Sequence, residues 1–307
     1  MTSAQPLVIV GPTASGKSDV AMAFAALHSD AELIAVDAMQ VYRRMDIGTA
    51  KPTAADRAAV PHHCLDLVDA AEEFTVSDFA AAAEAALNEI AGRRRRAVLV
   101  AGTGLYLRAI TDPMDVPGRW PDVRADLDRR ADAEGTAALH RQLATLDPVA
   151  ATKMQPTNQR RIVRALEVTL GSGRPFSSFG PGVDTYPPVP FAQFGLRWSR
   201  PALAERIAER VHSMMAAGLL AEVESLAKGP VSRTARQALG YKELFDHLDG
   251  ECTLAAAVDT IILRTRQFAV RQERWFRRDP RIRWIDIDHD PVGTALPVLE
   301  GAWQSSS

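Results

Sequence analysis

Cysteine is nearly missing from this chain: Cys64 and Cys252 are the only two in 307 residues. That excludes a disulfide framework and a Cys-rich zinc module. Long apolar runs are missing as well. No stretch reaches the roughly 18 residues a membrane helix needs. The N-terminal MTSAQPLVIVGP has no basic segment, and its apolar stretch is too short for a signal peptide. There is no charge excess either, with 36 Lys plus Arg against 38 Asp plus Glu and a formal net charge of −2. This argues against a wholly basic, histone-like nucleic-acid binder but allows a local basic face. Lysine is scarce, at five residues (17, 51, 153, 228 and 242), so 31 of the 36 basic residues are Arg. A GC-rich genome accounts for that ratio, and so does contact with phosphate and RNA, where guanidinium offers a planar fork and a stacking face; composition alone favours the genomic reading. The remainder is ordinary for a soluble globular protein, at 47% hydrophobic and 24% charged. A chain this long can bury a core without staples. The starting expectation is a soluble cytoplasmic enzyme of one large or two modest domains.

Several short apolar runs read as strands: PLVIV (6–10), ELIAVDA (32–38), the start of RAVLVAGTGLYLRAI (96–110), FAQFGLRW (191–198) and RIRWIDID (281–288). Helical segments alternate with them. The Ala-rich stretch 76–93 is one, with Ser77 as a possible cap. Continuous apolar strands alternating with helices predict a parallel sheet covered on both faces. The texture changes after Asp112. Segments 113–121 and 179–190 are rich in Pro and Gly and read as linkers; 122–148 and 159–175 between them read as helical, with Ile162, Leu166 and Leu170 at helical spacing. The predicted organisation is an α/β core of residues 1–116 and 191–307 with a helical insertion at 117–190. Segments 202–227 and 253–278 add helices to the core.

Gly11-Pro12-Thr13-Ala14-Ser15-Gly16-Lys17-Ser18 fits G-x-x-x-x-G-K-[ST], after a predicted strand and before a predicted helix. Such a loop turns backbone N–H groups inward around phosphate oxygens, aided by the helix N-terminus. Lys17 can reach the terminal phosphate and Ser18 can ligate Mg²⁺. The motif specifies a polyphosphate, and a diphosphate ester would fit as well as ATP. Asp37 ends the second predicted strand, at the sheet edge where ligands of open α/β sheets gather. It could hold a metal, take a proton, or simply cap a turn. The loop Met45-Asp46-Ile47-Gly48-Thr49-Ala50-Lys51-Pro52 follows beside the same edge.

GPTASGKS, VDAMQVYRRMDIGTAKP and VAGTGLYLRAI together resemble the tRNA dimethylallyltransferases, also called tRNA isopentenyltransferases. LDPVAATKMQPTNQRRIVRALEV, RQALGYKEL and TRQFAVRQERWFRRD extend the resemblance from about Pro6 to Asp279. It implies a P-loop NTPase-like, nucleotide-kinase-like sheet with a helical insertion that contacts tRNA. It also implies transfer of a dimethylallyl group from dimethylallyl diphosphate to N6 of the adenosine 3′ to the anticodon, with Mg²⁺ assisting. The residues 11–18 (Gly11, Pro12, Thr13, Ala14, Ser15, Gly16, Lys17, Ser18) and Arg210 are then the diphosphate ligands, and Asp37 the general base. Thr103 holds the target nucleotide. Asp37, Ala38, Met39, Gln40, Arg124 and the run Gln159, Arg160, Arg161, Ile162, Val163 face the tRNA anticodon stem-loop. Ala38 stands where the family often has Ser, Ala101 where it often has Gly, and Ser18 where Thr is common. The short C-terminus lacks the zinc finger of eukaryotic members, which suggests a bacterial-type enzyme. A monomer without a membrane partner is expected. The rivals are a P-loop small-molecule kinase, an enzyme that prenylates free adenine nucleotides, and a noncatalytic tRNA-binding NTPase.

Between Arg264 and Arg283 stand eight Arg and two acids, a local charge of +6, interleaved with Trp275, Phe276 and Trp284. This reads as an RNA backbone track or as a helix whose aromatics are core. Cys64 follows His62 and His63, too few ligands for a convincing metal site. Gly240-Tyr241 reads as a helix-turn contact near the RNA or the core.

Overall fold

The β-branched run of β1 (Leu7–Val10) is wholly buried because it lies mid-sheet, with a parallel neighbour on each side. In this computed structural model, which describes residues 5–112, 114–180, 182 and 185–305, the strands that follow are β2 (Ala31–Val36), β3 (His62–His63), β4 (Arg96–Ala101), β5 (Ala192–Trp198) and β6 (Ile282–Ile287). They form one sheet in the order β3-β2-β4-β1-β5-β6, every neighbouring pair parallel. The α/β parallel-sheet expectation is met.

Register decides where the site lies. Ala101 at the end of β4 stands opposite both Val10 and Val36. The chain therefore leaves three adjacent strands at one level, and the segments after residues 10, 36 and 101 open on the same edge.

Helices α1 (Lys17–Leu27), α2 (Ala54–Ala59), α3 (Val76–Gly92) and α4 (Gly104–Thr111) belong to the first half of the core. Thr75, not Ser77, caps α3: its hydroxyl accepts from the Asp78 N–H while the Asp78 carboxylate accepts from the Thr75 N–H. Ser77 sits inside the first turn, where its side chain cannot reach a free amide in this way. The insertion holds α5 (Pro121–Glu134), α6 (Thr136–Leu146), α7 (Pro148–Thr152) and α8 (Gln159–Ser172). The core resumes with α9 (Arg200–Ala216), α10 (Leu219–Ala227), α11 (Arg233–Arg236), α12 (Tyr241–Leu248), α13 (Leu254–Phe276) and α14 (Pro291–Ser305). Two segments expected to be continuous are broken at glycines. Gly135 (φ 81°) separates α5 from α6, and Gly218 (φ 100°) separates α9 from α10. Both adopt the left-handed half of backbone space that side chains other than glycine's resist. Strand β3 and helices α2 and α14 are additions to the sequence reading. Among the described residues no helix is long and apolar enough to cross a membrane.

Residue contacts divide the chain into Met1–Thr111 with Tyr186–Ser307, and Asp112–Thr185; the sequence places these boundaries at 116/117 and 190/191. Residues 113, 181, 183 and 184 of the two expected linkers lie outside the described set. The first unit buries apolar side chains on both sheet faces. Phe24, Phe194, Leu196, Leu299 and Trp303 pack on one, and Val8, Ile34, Phe79, Leu99, Tyr241 and Phe276 on the other. The second unit has its own core of Leu127, Leu139, Leu143, Ile162, Val163 and Leu166.

Candidate active site

The phosphate loop is held open from behind. Arg206 Nε, on α9, donates to the Ala14 carbonyl at 2.9 Å while its guanidinium stacks on Trp198. Trp198 Nε1 donates to the Ser15 carbonyl at 3.0 Å. With carbonyls drawn outward, the N–H groups of Ala14, Gly16, Lys17 and Ser18 are left without protein acceptors among the described residues. These are the free donors an oxyanion needs. The turn depends on Gly16 (φ 85°), and a Cβ on Gly11 would lie 2.5 Å from Ser15 Oγ, so the serine would have to shift. The Thr13 N–H, by contrast, is donated to Gln272 Oε1 at 2.9 Å.

Three side chains converge on the same opening. A Cβ built on Gly102 would lie 3.4 Å from each of Asp37 Oδ2, Gln272 Nε2 and Lys17 Cε. Asp37 Oδ1 accepts from the Met39 N–H at 2.8 Å and the Gln40 N–H at 3.4 Å, while Oδ2 has no protein hydrogen-bond donor among the described residues. One oxygen fixes the carboxylate and the other remains available. Thr103 Oγ1 accepts from the Ala38 N–H at 3.3 Å, which ties the segment after β4 to the segment after β2. Burial pushes the Lys17 amine down to about 8, assisted by the Arg210 charge and opposed by Asp37 and Asp19. Burial also lowers Arg210, against the pull of Asp19 and Asp37. Two cations crowded together and partly desolvated form a cradle that becomes comfortable when a polyanion enters.

The 45–51 loop is braced by side chains from several elements. Glu222 on α10 accepts from the backbone N–H groups of Asp46, Ile47 and Gly48, and from the Tyr241 hydroxyl at 2.6 Å. Lys51 is buried, and its amine donates to the Tyr42 carbonyl, Asp46 and Asp66 at 2.7 Å each. Gln40 Nε2 donates to the carbonyls of Thr49 (3.0 Å) and Ala50 (3.2 Å), so its amide steadies the loop beside Asp37. Glu222→Leu would strand three amides and a hydroxyl, partly rewetted. The expected cost is about 1–2 kcal/mol, read as a lowered urea midpoint with an unchanged slope.

A sequence profile described as IPP transferase matches residues 40–279, and one described as isopentenyl transferase matches residues 5–66. A tRNA dimethylallyltransferase of Pseudarthrobacter chlorophenolicus is 49% identical over 94% of this chain and 96% of its own. The chain belongs to the tRNA dimethylallyltransferase family. A relative of that name from Desulforudis audaxviator is 45% identical, covering 97% of this chain and 98% of its own. Among solved structures, the tRNA isopentenylpyrophosphate transferase of Bacillus halodurans superimposes with a TM-score of 0.70 at 36% identity, over 99% and 98% of the two chains. A eukaryotic dimethylallyltransferase acting on tRNA gives a TM-score of 0.74 at 25% identity, over 92% of this chain and 73% of its own. The P-loop NTPase-like core expected from the resemblance is the fold of these relatives.

The residues expected from the family divide sharply by exposure. Gln159, Arg160 and Arg161 are exposed at the start of α8, whereas Ile162 and Val163 are 0% exposed in the second unit's core. Of these five, the first three present exposed side chains. Arg160, Arg161 and Arg164 line an open hollow of about 460 Å³ with Met154, Asn158 and Phe176. Arg124 pairs with the surface residue Asp128 at 3.0 Å and lies 3.6 Å from the buried Glu167. In the basic tract, Arg264 pairs with buried Glu243, Arg277 with Glu273, and Arg281 with Asp279. Arg271 and Arg274 are exposed, and with Gln267 they share one face of α13. Phe276 is buried, and Trp275 closes over Gly104, where a Cβ would lie 2.0 Å from the ring.

Cys64 is buried, and its thiol is pushed up to about 12 by that burial. His62 Nδ1 contacts the Val60 carbonyl, and His63 Nε2 contacts Glu32. Among the described residues no three potential ligands gather into a metal site.

Proposed function

We propose that this chain transfers the dimethylallyl group of dimethylallyl diphosphate to N6 of the adenosine 3′-adjacent to the anticodon of tRNA, releasing diphosphate, in the cytoplasm. The observation that carries the chemistry is the free Oδ2 of Asp37, which shares the space around Gly102 with Lys17 of the phosphate loop. The exocyclic amine of adenine is a weak nucleophile because its lone pair is delocalised into the ring. The reaction forms an N6–C1 bond, breaks the C1–O bond to diphosphate, and delivers one N6 proton to Asp37 Oδ2. Lys17, Arg210 and the free N–H groups of residues 14 and 16–18 stabilise the charge that builds on the leaving diphosphate. Thr103, bonded to the Ala38 N–H, steadies the segment beside the incoming nucleotide.

Mg²⁺ fits this donor set. Ser18 is exposed, its hydroxyl has no partner among the described residues, and the loop amides around it are shaped for phosphate oxygens. When bound, the ion supplies neutralising charge to the diphosphate.

The test is mass analysis of tRNA after incubation with the protein, Mg²⁺ and dimethylallyl diphosphate. A dimethylallyl gain at the adenosine beside the anticodon supports the reading. Phosphoryl transfer from ATP without prenylation would replace it with a kinase, and equal rates on AMP and an anticodon stem-loop would remove tRNA as the substrate. The exposed arginines supply a further prediction. Arg271→Ala and Arg274→Ala should each weaken stem-loop binding and lower the slope of log Kd against log salt by about 1. An unchanged slope in both would remove this face from the RNA track.

A further inference from the structure

Gln272 is 8% exposed, on the inward face of α13 with Ile261, Thr265, Ala269 and Phe276. Its carboxamide is engaged at both ends. Oε1 accepts the Thr13 N–H at 2.9 Å, and Nε2 donates to the Gly102 carbonyl at 2.8 Å. Thr13 belongs to the phosphate loop, and Gly102 to the segment after β4 that carries Thr103. The last backbone bond between these two segments, Gly11 N–H to the Ala101 carbonyl, is already long at 3.4 Å. Both strands end there, and beyond them the Gln272 side chain makes the connection. On its far side the Gly102 segment is bonded to β2, because the N–H groups of Gly102 and Thr103 both donate to the Val36 carbonyl, next to Asp37. A single chain of hydrogen bonds thus runs from the diphosphate cradle through Gln272 to the strand end that carries the base.

We propose that Gln272 is a positioning residue for prenyl transfer: it sets the distance between the bound diphosphate and the adenosine N6 held beside Asp37. The inference rests on the reaction proposed above. A primary carboxamide is suited to the task because it donates and accepts at once, matching one N–H and one carbonyl. Glutamate keeps the length but sets a carboxylate oxygen against the Gly102 carbonyl. Methionine keeps the volume and makes neither bond. Either change lets the two loops drift, and a misplacement of about 1 Å between reacting groups costs on the order of 10²-fold in rate.

The experiment compares Gln272→Met and Gln272→Glu with the unaltered protein in single-turnover prenyl transfer. Both substrates are saturating, and rates are normalised to active sites by titration. The affinities of inorganic diphosphate and of an anticodon stem-loop are measured alongside. The expected result is a rate constant lowered about 10–100-fold in both variants, with both affinities within about threefold of the parent. A normalised rate within about threefold of the parent in either variant would overturn the proposal. So would a loss that appears only as weaker diphosphate binding, since Gln272 would then serve the cradle alone. Absence of transfer by the unaltered protein is a separate outcome, which strikes at the reaction itself.

Discussion

Asp37→Asn lowers the rate of prenyl transfer at least about 100-fold and leaves stem-loop affinity within a few-fold. The magnitude follows from loss of a positioned general base, typically worth about 10²–10⁴. Asparagine is the informative replacement because it preserves the geometry. Its carbonyl oxygen can still accept from the Met39 and Gln40 N–H groups that hold Asp37 Oδ1. Only the basic oxygen facing Lys17 and Gly102 is lost. Single-turnover rates and stem-loop binding, measured on the same preparation, separate the two contributions. Full activity in the Asn variant would show that the N6 proton leaves by another route, and Asp37 would then be a turn residue.

The second large effect is expected at Lys17. Lys17→Met removes the flexible cation of the phosphate loop, and transfer should fall about 10²–10³-fold, the scale for losing a preorganised donor to developing negative charge. The same residue carries a pH signature. In the ligand-free protein its amine titrates near 8, lowered chiefly by burial and then by Arg210. Bound diphosphate, as an anion, raises that value, so the complex holds a proton that the free protein has begun to lose. Linkage then requires affinity to fall as pH rises through 8. The affinity advantage of the parent over Lys17→Met for inorganic diphosphate should shrink about tenfold between pH 7 and pH 9. Calorimetry on both proteins measures this difference, and the titration of diphosphate itself cancels. A constant ratio across that range would mean that Lys17 stays charged without ligand.

Much of the core was legible because its signals are local. The apolar run of β1 announces a buried parallel strand, and the phosphate-loop spacing announces the turn that follows. Asp37 is readable from its place at a strand end. The family resemblance places Ile162 and Val163 among the tRNA-facing residues, while their side chains lie in the second unit's core, as the helical spacing of Ile162 and Leu166 predicts for that face. The continuous helices read over 122–148 and 202–227 failed at Gly135 and Gly218, which an Ala-rich or charged background disguises.

The residues that local pattern does not mark share one property: their partners are remote. Thr13 and Gln272 are 259 positions apart, Ser15 and Trp198 183, and Gly48 and Glu222 174. Nothing in the composition of α13 distinguishes Gln272, which binds two loops, from Gln267, which faces solvent. Local pattern therefore determined the class of fold, the place of the G-x-x-x-x-G-K-[ST] loop and the acid at the neighbouring strand end, because periodicity and turn chemistry are written within a few residues. Which arginines are paired with acids and which are exposed, and which amide spans the gap between the segments after β1 and β4, depend on packing. A side chain's partners depend on the register of the sheet and the seating of distant helices, and those are properties of the folded chain as a whole.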